Sequence, residues 1–393
     1  MADWIEKTLG EVTSFIAKGI PPKYTEEASK DTICVLNQKC NRNYEISYSE
    51  SRIHDCAQKK VPADKMLKVG DVLINSTGTG TAGRVAQMME VTAPTTIDGH
   101  MILLRPSEEL DPIYYGYALK SQQFQIEGLA EGSTGQTEIN RRRLQDEVII
   151  CYPSDKSIQK NIGNFLANID GKIKTNTAIN ENLLHQLHVL YLRLFGDSVM
   201  DIPLGDVVAT TSGGTPSRKH DEYYSDSSIC WVKSKELLGN YIHETEEHIN
   251  NLAIKQSSAK ILPEHSVLIA MYGATVGAYG VISKPMACNQ AVCALLCNEN
   301  YPYTYLFQMA YESQQKFINL AVGSAQQNIS QVLIKQLNLH SNLNIIQKFH
   351  DVALPIHQEI ESLQTENMRL SDLRDNLLPK LMSGGLDVSG LDI

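Results

Sequence analysis

The stretch Val72-Leu73-Ile74-Asn75-Ser76-Thr77-Gly78 decides the fold, because its apolar run and its glycine return as Val267-Leu268-Ile269 and Gly273. Both returns lie 195 residues further along the chain. Leu9-Gly10-Glu11-Val12 returns at the same offset as Leu204-Gly205-Asp206-Val207, and Gly19-Ile20-Pro21 as Gly214-Thr215-Pro216. Separate blocks with one offset indicate two copies of one unit. Each copy, just under 200 residues long, can bury its own core.

Each copy is predicted to open with about 150 residues of short strands and irregular loops and to close with one long helix. Apolar residues at steps of three and four form a coiled-coil seam in both helices. In copy one these residues are Ile158, Ile162, Phe165, Ile169, Ile173, Leu183, Leu187, Leu190 and Leu194. In copy two they are Phe349, Val352, Ile356, Ile360, Leu363, Leu370, Leu377 and Leu381.

Polar residues and helix breakers interrupt both seams. Asn176, Asn180 and Asn367 either fix the register as buried amides or mark a locally solvated stretch. Pro355 is expected to kink or restart its helix, because proline has no N–H to donate. Gly171 and the pair Gly384-Gly385 are expected to be weak points or ends.

These patterns predict an α+β fold. It comprises two pseudo-symmetric copies of a β-rich α/β domain, each followed by a long helix, and the helices pair as an antiparallel coiled coil. The predicted boundaries are residues 1–153, 154–196, 197–343 and 344–393, in the order domain, helix, domain, helix with tail. A helix of about 40 residues is about 60 Å long, which suits a spacer between the two domains.

Composition limits the functional classes. The formal net charge of −10 argues against a broadly basic nucleic-acid surface, so any DNA contact must be a local patch. The eight cysteines contain no CxxC pair, which indicates a reducing, cytoplasmic setting. Cys288, Cys293 and Cys297 are predicted to be small buried residues, and no metal site is predicted. The chain start does not resemble a signal peptide, and no apolar run approaches the length of a membrane span.

A literal GxGxxG pattern occupies residues 78–83, follows a predicted strand and has Asp98 twenty residues beyond Gly78. The stretch from Arg84 to Thr96 is too short for a crossover helix and a second strand. Copy two has Gly273-Ala274-Thr275-Val276-Gly277 at this place, without the pattern. Both copies do share a Gly/Thr-rich loop after a strand. Such a loop either lets backbone N–H groups approach phosphates or is simply a tight turn.

A second shared loop runs over residues 132–139 and returns over residues 323–329. Its glutamine and asparagine side chains can pair with adenine. In copy one it leads into three arginines, which favour phosphate or an acidic partner over a merely solvated helix start. The candidate DNA-binding residues of copy one are Lys18, Lys23, Tyr24, Thr77, Thr79, Thr81, Arg84, Ser133, Thr134, Gln136, Thr137, Asn140, Arg141, Arg142 and Arg143. Those of copy two are Ser212, Thr215, Ser217, Arg218, Lys219, Lys233, Tyr272, Thr275, Ser324, Gln326, Gln327 and Asn328.

The chain contains no sequence motif for phosphate-loop, zinc-protease, serine-hydrolase or amino-methyltransferase chemistry. The order of its repeated elements resembles the specificity subunit of type I restriction–modification systems. These elements are Leu-Gly-Glu/Asp-Val, a Gly-x-Pro turn, the Trp231-Val232-Lys233 strand, Val-Leu-Ile before the Gly/Thr loop, Gln-x-x-Ile, and a leucine-rich helix end before glycine. The resemblance covers essentially the whole chain. Copy one departs from it in having Val35 near the tryptophan position, which leaves open how its first loop is held.

The resemblance implies a non-catalytic DNA reader in which each of two target-recognition domains reads half of a split double-stranded DNA target. The helices would set the spacer and dock two methyltransferase subunits, and restriction and motor subunits would join the complex. It implies no cofactor in this chain, with S-adenosylmethionine and ATP with Mg²⁺ on the partner subunits. The alternatives are an NAD(P)-binding oxidoreductase that uses residues 78–83 and an interaction scaffold that binds no DNA.

Overall fold

The computed structural model of the chain describes residues 3–132, 137–321 and 327–386. Within these residues the chain divides into two compact units. Unit 1 joins the residues up to Lys172 with those from Arg369 onward, and unit 2 is Ile173–Met368. Each of the two long helices therefore contributes one part to each unit.

Unit 1 consists of short strands, three short helices and its shares of the long helices. Its strands are β1 (Trp4–Thr8), β2 (Thr13–Lys18), β3 (Tyr24–Thr25), β4 (Thr32–Leu36), β5 (Asn41–Arg42), β6 (Glu45–Ile46), β7 (Arg52–Asp55), β8 (Val72–Asn75), β9 (Val85–Gln87), β10 (Thr95–Ile97), β11 (Met101–Pro106), β12 (Ala130–Glu131), β13 (Glu138–Ile139) and β14 (Ile149–Pro153). Its helices are α1 (Pro112–Ser121), α2 (Gln123–Gly128) and α3 (Arg141–Glu147), followed by the first long helix, α4 (Lys156–Phe195).

Unit 2 likewise consists of short strands, short helices and its shares of the long helices. Its strands are β15 (Met200–Pro203), β16 (Ala209–Ser212), β17 (Ile229–Val232), β18 (Tyr241–Ile242), β19 (His248–Ile249), β20 (Val267–Ala270), β21 (Tyr279–Ile282), β22 (Ala287–Cys288), β23 (Val292–Leu296) and β24 (Asn338–His340). Its helices are α5 (Leu204–Val207), α6 (Asn251–Gln256), α7 (Tyr303–Leu320) and α8 (Gln331–Lys335), followed by the second long helix, α9 (Leu343–Met382). Single 3-10 turns occur at Gln38–Cys40, Ala63–Lys65, Asp221–Tyr223, Ser234–Glu236 and Gly273–Thr275.

Both units build the same central sheet around the repeated Val-Leu-Ile strand. The strand order is β2-β11-β8-β9 in unit 1 and β16-β23-β20-β21-β18 in unit 2. β8 and β20 are buried throughout and run antiparallel to both neighbours. Residues 78–83 therefore join two antiparallel strands, whereas a dinucleotide fingerprint needs a parallel strand–helix–strand unit. The NAD(P) alternative is thus wrong, and the Asp98 carboxylate instead accepts the backbone N–H of His100 at 2.9 Å.

The two copies differ by one residue from the sequence alignment at the turn that follows β2 in unit 1 and β16 in unit 2. The Gly19 N–H donates to the Met101 carbonyl at 3.1 Å. The equivalent bond, 3.2 Å long, runs from Gly213 to Val292, so Gly19 corresponds to Gly213 and not to Gly214. A Cβ on Gly19 or Gly213 would lie 2.0 or 2.2 Å from a facing carbonyl oxygen, so only glycine fits at either place.

The two copies hold this turn by different donors. In unit 2 the Trp231 indole N–H donates to the Gly214 carbonyl at 3.0 Å. In unit 1, where valine stands near the tryptophan position, the Lys65 ammonium donates to the Gly19 carbonyl at 3.2 Å. The hydrogen bond from Lys65 therefore holds the first loop in the copy that lacks the tryptophan.

The two long helices are each 40 residues long and pack against each other inside both units. In unit 1 the α4 residue Ile162 shares a core with Leu381, close to the end of α9. In unit 2 Leu187 of α4 shares a core with Phe349, close to the start of α9. Early residues of one helix meet late residues of the other, so the pairing is antiparallel, as predicted.

The seam of α9 differs from the prediction at two positions. Val352 is 51% exposed, and Ala353 is buried in its place. Residues 349, 353, 356 and 360 are spaced by four, three and four positions, which keeps them on the inward face of α9. Pro355 neither ends nor restarts the helix, which continues to Met382. Pro355 is exposed, so water can satisfy the carbonyl that the missing N–H leaves free.

Two of the three asparagines of the seam, Asn176 and Asn180, are buried, and Asn367 is partly buried. The Asn176 side chain is fully buried, and its Nδ2 donates to Asn367 Oδ1 at 2.9 Å and to Glu366 at 2.7 Å. Asn180 is 6% exposed and donates to the Ile360 carbonyl at 3.4 Å. These amides fix one pairing of α4 with α9 in unit 2, which confirms the register interpretation.

The remaining expectations concern cysteines and membranes. All eight cysteines carry free thiols, and burial raises the pKa of Cys288, Cys293 and Cys297 to about 12. Cys288 and Cys293 are fully buried on strands, as expected for small apolar residues. Among the helices that the structure describes, none is long and apolar enough to cross a membrane.

Candidate nucleic-acid interface

In unit 1 the two loops that the copies share lie side by side. The Ile139 N–H donates to the Ser76 carbonyl at 2.8 Å, and the Gly78 N–H donates to the Thr137 carbonyl at 3.3 Å. The Thr137 hydroxyl returns a bond of 3.3 Å to the Gly78 carbonyl. Gly78 has φ +117°, a conformation that favours glycine. The backbone of the loop therefore accounts for the first glycine of the GxGxxG pattern.

Unit 2 contains the same loop pair at the repeated positions. The Ile329 N–H donates to the Met271 carbonyl at 2.9 Å, and the Gly273 N–H donates to the Gln327 carbonyl at 2.9 Å. Two predicted loops, far apart in sequence, are thus joined by equivalent hydrogen bonds in both copies. Each pair forms a single surface at the end of the Val-Leu-Ile strand.

Polar and charged side chains cover the loop pair of unit 1. The Thr77 hydroxyl lies 2.8 Å from His100 Nδ1, and Lys18 forms an ion pair with Glu138. Thr79 is exposed, whereas the Thr81 hydroxyl donates to the Thr77 carbonyl at 3.5 Å. A shallow depression of about 490 Å³ opens here, and its lining residues are Lys18, Glu131, Glu138, Ile139, Asn140 and Arg141.

The three consecutive arginines on α3 have different surroundings. Asn140 caps the helix by accepting the backbone N–H groups of Arg142 and Arg143, so its side chain is committed to the fold. Arg143 is paired with two carboxylates, those of Glu147 and Glu131, and its hydrogen bond lowers the pKa of Glu147. The Arg142 side chain is 89% exposed, with one loose contact of 3.6 Å to an acid on the next turn.

The other candidates of unit 1 are spread over separate loops. The Tyr24 ring, 38% exposed, is covered by the Arg52 guanidinium at 3.5 Å from the ring centroid. Lys23 is exposed and donates its backbone N–H to His54 Nδ1 at 2.8 Å. Arg84 donates to the Gly80 carbonyl within its own loop.

A turn that the sequence did not indicate lies beside Arg84. Asn43 and Tyr44, between β5 and β6, have φ values of 53° and 66°. Tyrosine rarely adopts this conformation, so the surrounding structure must hold it. The Lys120 ammonium lies 4.3 Å from the Tyr44 ring centroid. A depression of about 460 Å³ opens here, and its lining residues are Arg42, Asn43, Tyr44, Thr81, Arg84, Val85 and Gln123.

The unit 2 loop pair presents fewer charges. Tyr272 is 39% exposed, and Asn328, with which it forms a β-bridge, is also exposed. The Thr275 hydroxyl donates to the Tyr272 carbonyl at 3.1 Å. Ser212, at the end of β16, donates to Gln331 at 3.0 Å, which ties that strand to the loop pair.

The positively charged candidates of unit 2 lie at another place, in the loop before β17 and directly after its last residue. Arg218 and Lys233 both pair with the carboxylate of Glu247, and the bond from Lys233 is the main reason that the pKa of Glu247 is lowered. The Arg218 guanidinium lies 4.2 Å from the ring centroid of Tyr224. Among the described residues, Lys219 makes no ion pair. Its neighbours Thr215 and Ser217 are exposed.

Five candidates lie outside the described residues, namely Ser133, Thr134, Gln136, Ser324 and Gln326. Four further residues contact candidates across the fold and were not indicated by the sequence, namely His100, Gln331, Glu138 and Glu247. No local pattern marks these partners, because each contact joins segments at least 14 residues apart.

A family model described as "Type I restriction modification DNA specificity domain" matches residues 1–185 and again residues 197–341. The chain is 25% identical over 423 residues to the MjaIX specificity subunit of Methanocaldococcus jannaschii, covering 99% of this chain and 95% of that protein. It is also 25% identical over 186 residues to the HindI specificity subunit of Haemophilus influenzae, covering 46% of this chain and 40% of that protein.

The fold is similar to a solved structure, the crystal structure of a type I restriction–modification S subunit from M. genitalium. The TM-score is 0.60 at 18% sequence identity, and the alignment covers 99% of this chain and 97% of that one. At this identity the similarity concerns the fold alone.

Proposed function

The chain belongs to the family of type I restriction–modification DNA specificity proteins, and from that membership we propose that it is the non-catalytic subunit that selects the DNA target of such a complex. Each unit reads one half of a bipartite double-stranded site. The observation that carries this proposal is the loop pair, built with equivalent hydrogen bonds in both copies.

The chemistry of the loop pairs suits DNA. Backbone N–H groups, threonine hydroxyls and exposed arginines contact phosphates, while amide side chains read base edges. The pairs differ between copies, since unit 1 places arginines after its loop and unit 2 places Tyr272 and Asn328 within it. Two different surfaces on a shared frame would read two different half-sites.

The partners follow from the same proposal. Two methyltransferase subunits dock on the long helices and bring S-adenosylmethionine, and restriction subunits with ATP and Mg²⁺ join them in the cytoplasm. These partners also supply positive charge around the duplex, which compensates for the net charge of −10.

The decisive experiment is co-expression with candidate methyltransferase subunits, followed by mapping of methylated sites in the host genome. Recovery of a complex that methylates one bipartite sequence is the expected result. Asn328→Ala should relax one half-site and leave the other intact, at a cost of about 1–3 kcal/mol at the affected base. Asn300→Ala, a matched change on an exposed loop before α7, should leave the map unchanged.

Two results would contradict the proposal. The first is a complex that forms but methylates without sequence preference. The second is an Asn328→Ala map that changes in both half-sites, because the two units would then not read independently.

A further inference from the structure

Three potential metal ligands converge on the small sheet of unit 2. Cys230 on β17 and His248 on β19 are direct cross-strand partners, so their side chains share one face of the sheet. Glu244 reaches the same point from the segment that leads into β19. Glu244 Oε1 lies 2.9 Å from Cys230 Sγ and 2.6 Å from His248 Nε2, and Sγ and Nε2 are 3.7 Å apart.

The glutamate divides its two oxygens between different partners. Oε1 faces the cysteine and the histidine, while Oε2 accepts the Lys284 ammonium at 3.0 Å. Outer cations or donors of this kind hold a ligating carboxylate in one orientation. The carboxylate is therefore already positioned to present one oxygen to an ion beside Cys230 and His248.

The spacing suits a tetrahedral ion. Zinc bonds of about 2.3 Å to sulfur and about 2.0–2.2 Å to nitrogen and oxygen place neighbouring ligand atoms about 3.3–3.6 Å apart. The three ligand atoms need to move by less than about 1 Å to reach these separations. Cys230 is buried and Glu244 is half exposed, so a fourth position open to water remains on the solvent side.

Unit 1 shows that the fold does not require this cluster. The corresponding cysteine there, Cys34 on β4, faces Ile53 across the strand pair. The neighbouring histidine, His54, uses Nδ1 to accept the Lys23 N–H and pairs Nε2 with the Lys59 carbonyl. The three ligand types converge in copy two alone among the described residues.

We propose that Cys230, Glu244 and His248 bind one divalent transition-metal ion of the zinc type, with water as the fourth ligand. The ion displaces the thiol proton of Cys230 to solvent and bonds to the thiolate. It ties the segment 244–248 to β17. That segment already contacts β17 through Thr245, whose hydroxyl accepts the Trp231 N–H at 3.1 Å. The site belongs to copy two and does not depend on the proposed DNA function.

The test is a cobalt titration of the full chain under reducing conditions, after dialysis against a chelator. Cobalt is expected to bind with one equivalent and to give a thiolate-to-cobalt charge-transfer band, which zinc then removes. Cys230→Ser and His248→Gln should abolish the band. Cys34→Ser, the matched change in unit 1, should retain it.

The variant Glu244→Gln tests whether a loss of the band could come from misfolding. The Glu244 side chain is half exposed, so this substitution should leave the fold intact. It should weaken cobalt binding at least tenfold while circular dichroism and the thermal transition stay as in the wild type. A wild-type titration without the charge-transfer band overturns the proposal, since the three side chains would then form only a hydrogen-bonded cluster. A band that persists in Cys230→Ser overturns it as well, because another cysteine would be the ligand.

Discussion

Replacing Arg142 with alanine should weaken binding to every DNA sequence and leave the recognised sequence unchanged. The side chain is 89% exposed, and its only ion pair with a described residue is a 3.6 Å contact, so its charge is available to a phosphate. Arg143, one residue further, is already neutralised by two carboxylates. The pair therefore offers one charge that can replace a DNA counterion and one that cannot.

The magnitude follows from counterion release. Each phosphate contact contributes about 0.9 to the slope of log K against log salt concentration. Between about 50 and 200 mM salt, the wild-type complex should thus lose about 3.5-fold more affinity than the Arg142→Ala complex. Arg143→Ala should leave the slope unchanged, which makes it the matched control.

The assay is fluorescence anisotropy of a labelled duplex with the assembled methyltransferase complex, at five salt concentrations, on a target and a non-target sequence. Methylation maps of the same variants report the recognised sequence. Equal flattening of the slope in both arginine variants would refute the charge assignment. A changed methylation map for Arg142→Ala would show that this residue reads bases.

Three further predictions concern stability, each measured by urea unfolding of the isolated chain. Gly213→Ala places a Cβ 2.2 Å from a carbonyl oxygen and should lower the free energy of unfolding by about 1–3 kcal/mol, and an unchanged midpoint would contradict the close approach. Asn176→Leu removes a buried amide whose Oδ1 has no partner among the described residues, and should raise the free energy of unfolding by about 1 kcal/mol; a lower value would show that its two hydrogen bonds outweigh that loss. Burial lowers the pKa of His357 to about 3, so stability is complete above about pH 6.5 and declines as the pH falls towards 3, because only the unfolded state takes up the proton. Between pH 6.5 and pH 5 this proton uptake should lower the free energy of unfolding by about 2 kcal/mol. The variant His357→Gln should not show this decline. An equal decline in the variant would rule out this histidine as the cause.

Local patterns predicted the helices because their signal is periodic. Steps of three and four placed the first long helix within residues 154–196, and it spans Lys156–Phe195. The same periodicity put Asn176 and Asn180 on the seam, where both are buried. The periodicity did not predict the correct residue after Phe349. A step of three leads to Val352 and a step of four leads to Ala353, and only packing against α4 selects Ala353.

The candidate site was harder to predict, because its properties depend on partners from distant segments. The sequence showed three equivalent arginines, whereas Glu131 and Glu147 neutralise one of them. It also aligned Gly19 with Gly214, and only the hydrogen bonds to the neighbouring strand identify Gly213 as the equivalent. Both errors arise where contacts cross the fold.

The sequence alone determined that this protein has two copies of one unit, with one strand-and-loop pattern and one long helix in each, because repetition and periodicity are properties of the chain itself. The tertiary structure alone decided how the repeated loops meet, which of the three arginines is neutralised by two carboxylates, and that Cys230, Glu244 and His248 share one point. Those outcomes depend on strand register and on side chains brought together across the fold, and no local spacing in the sequence encodes either.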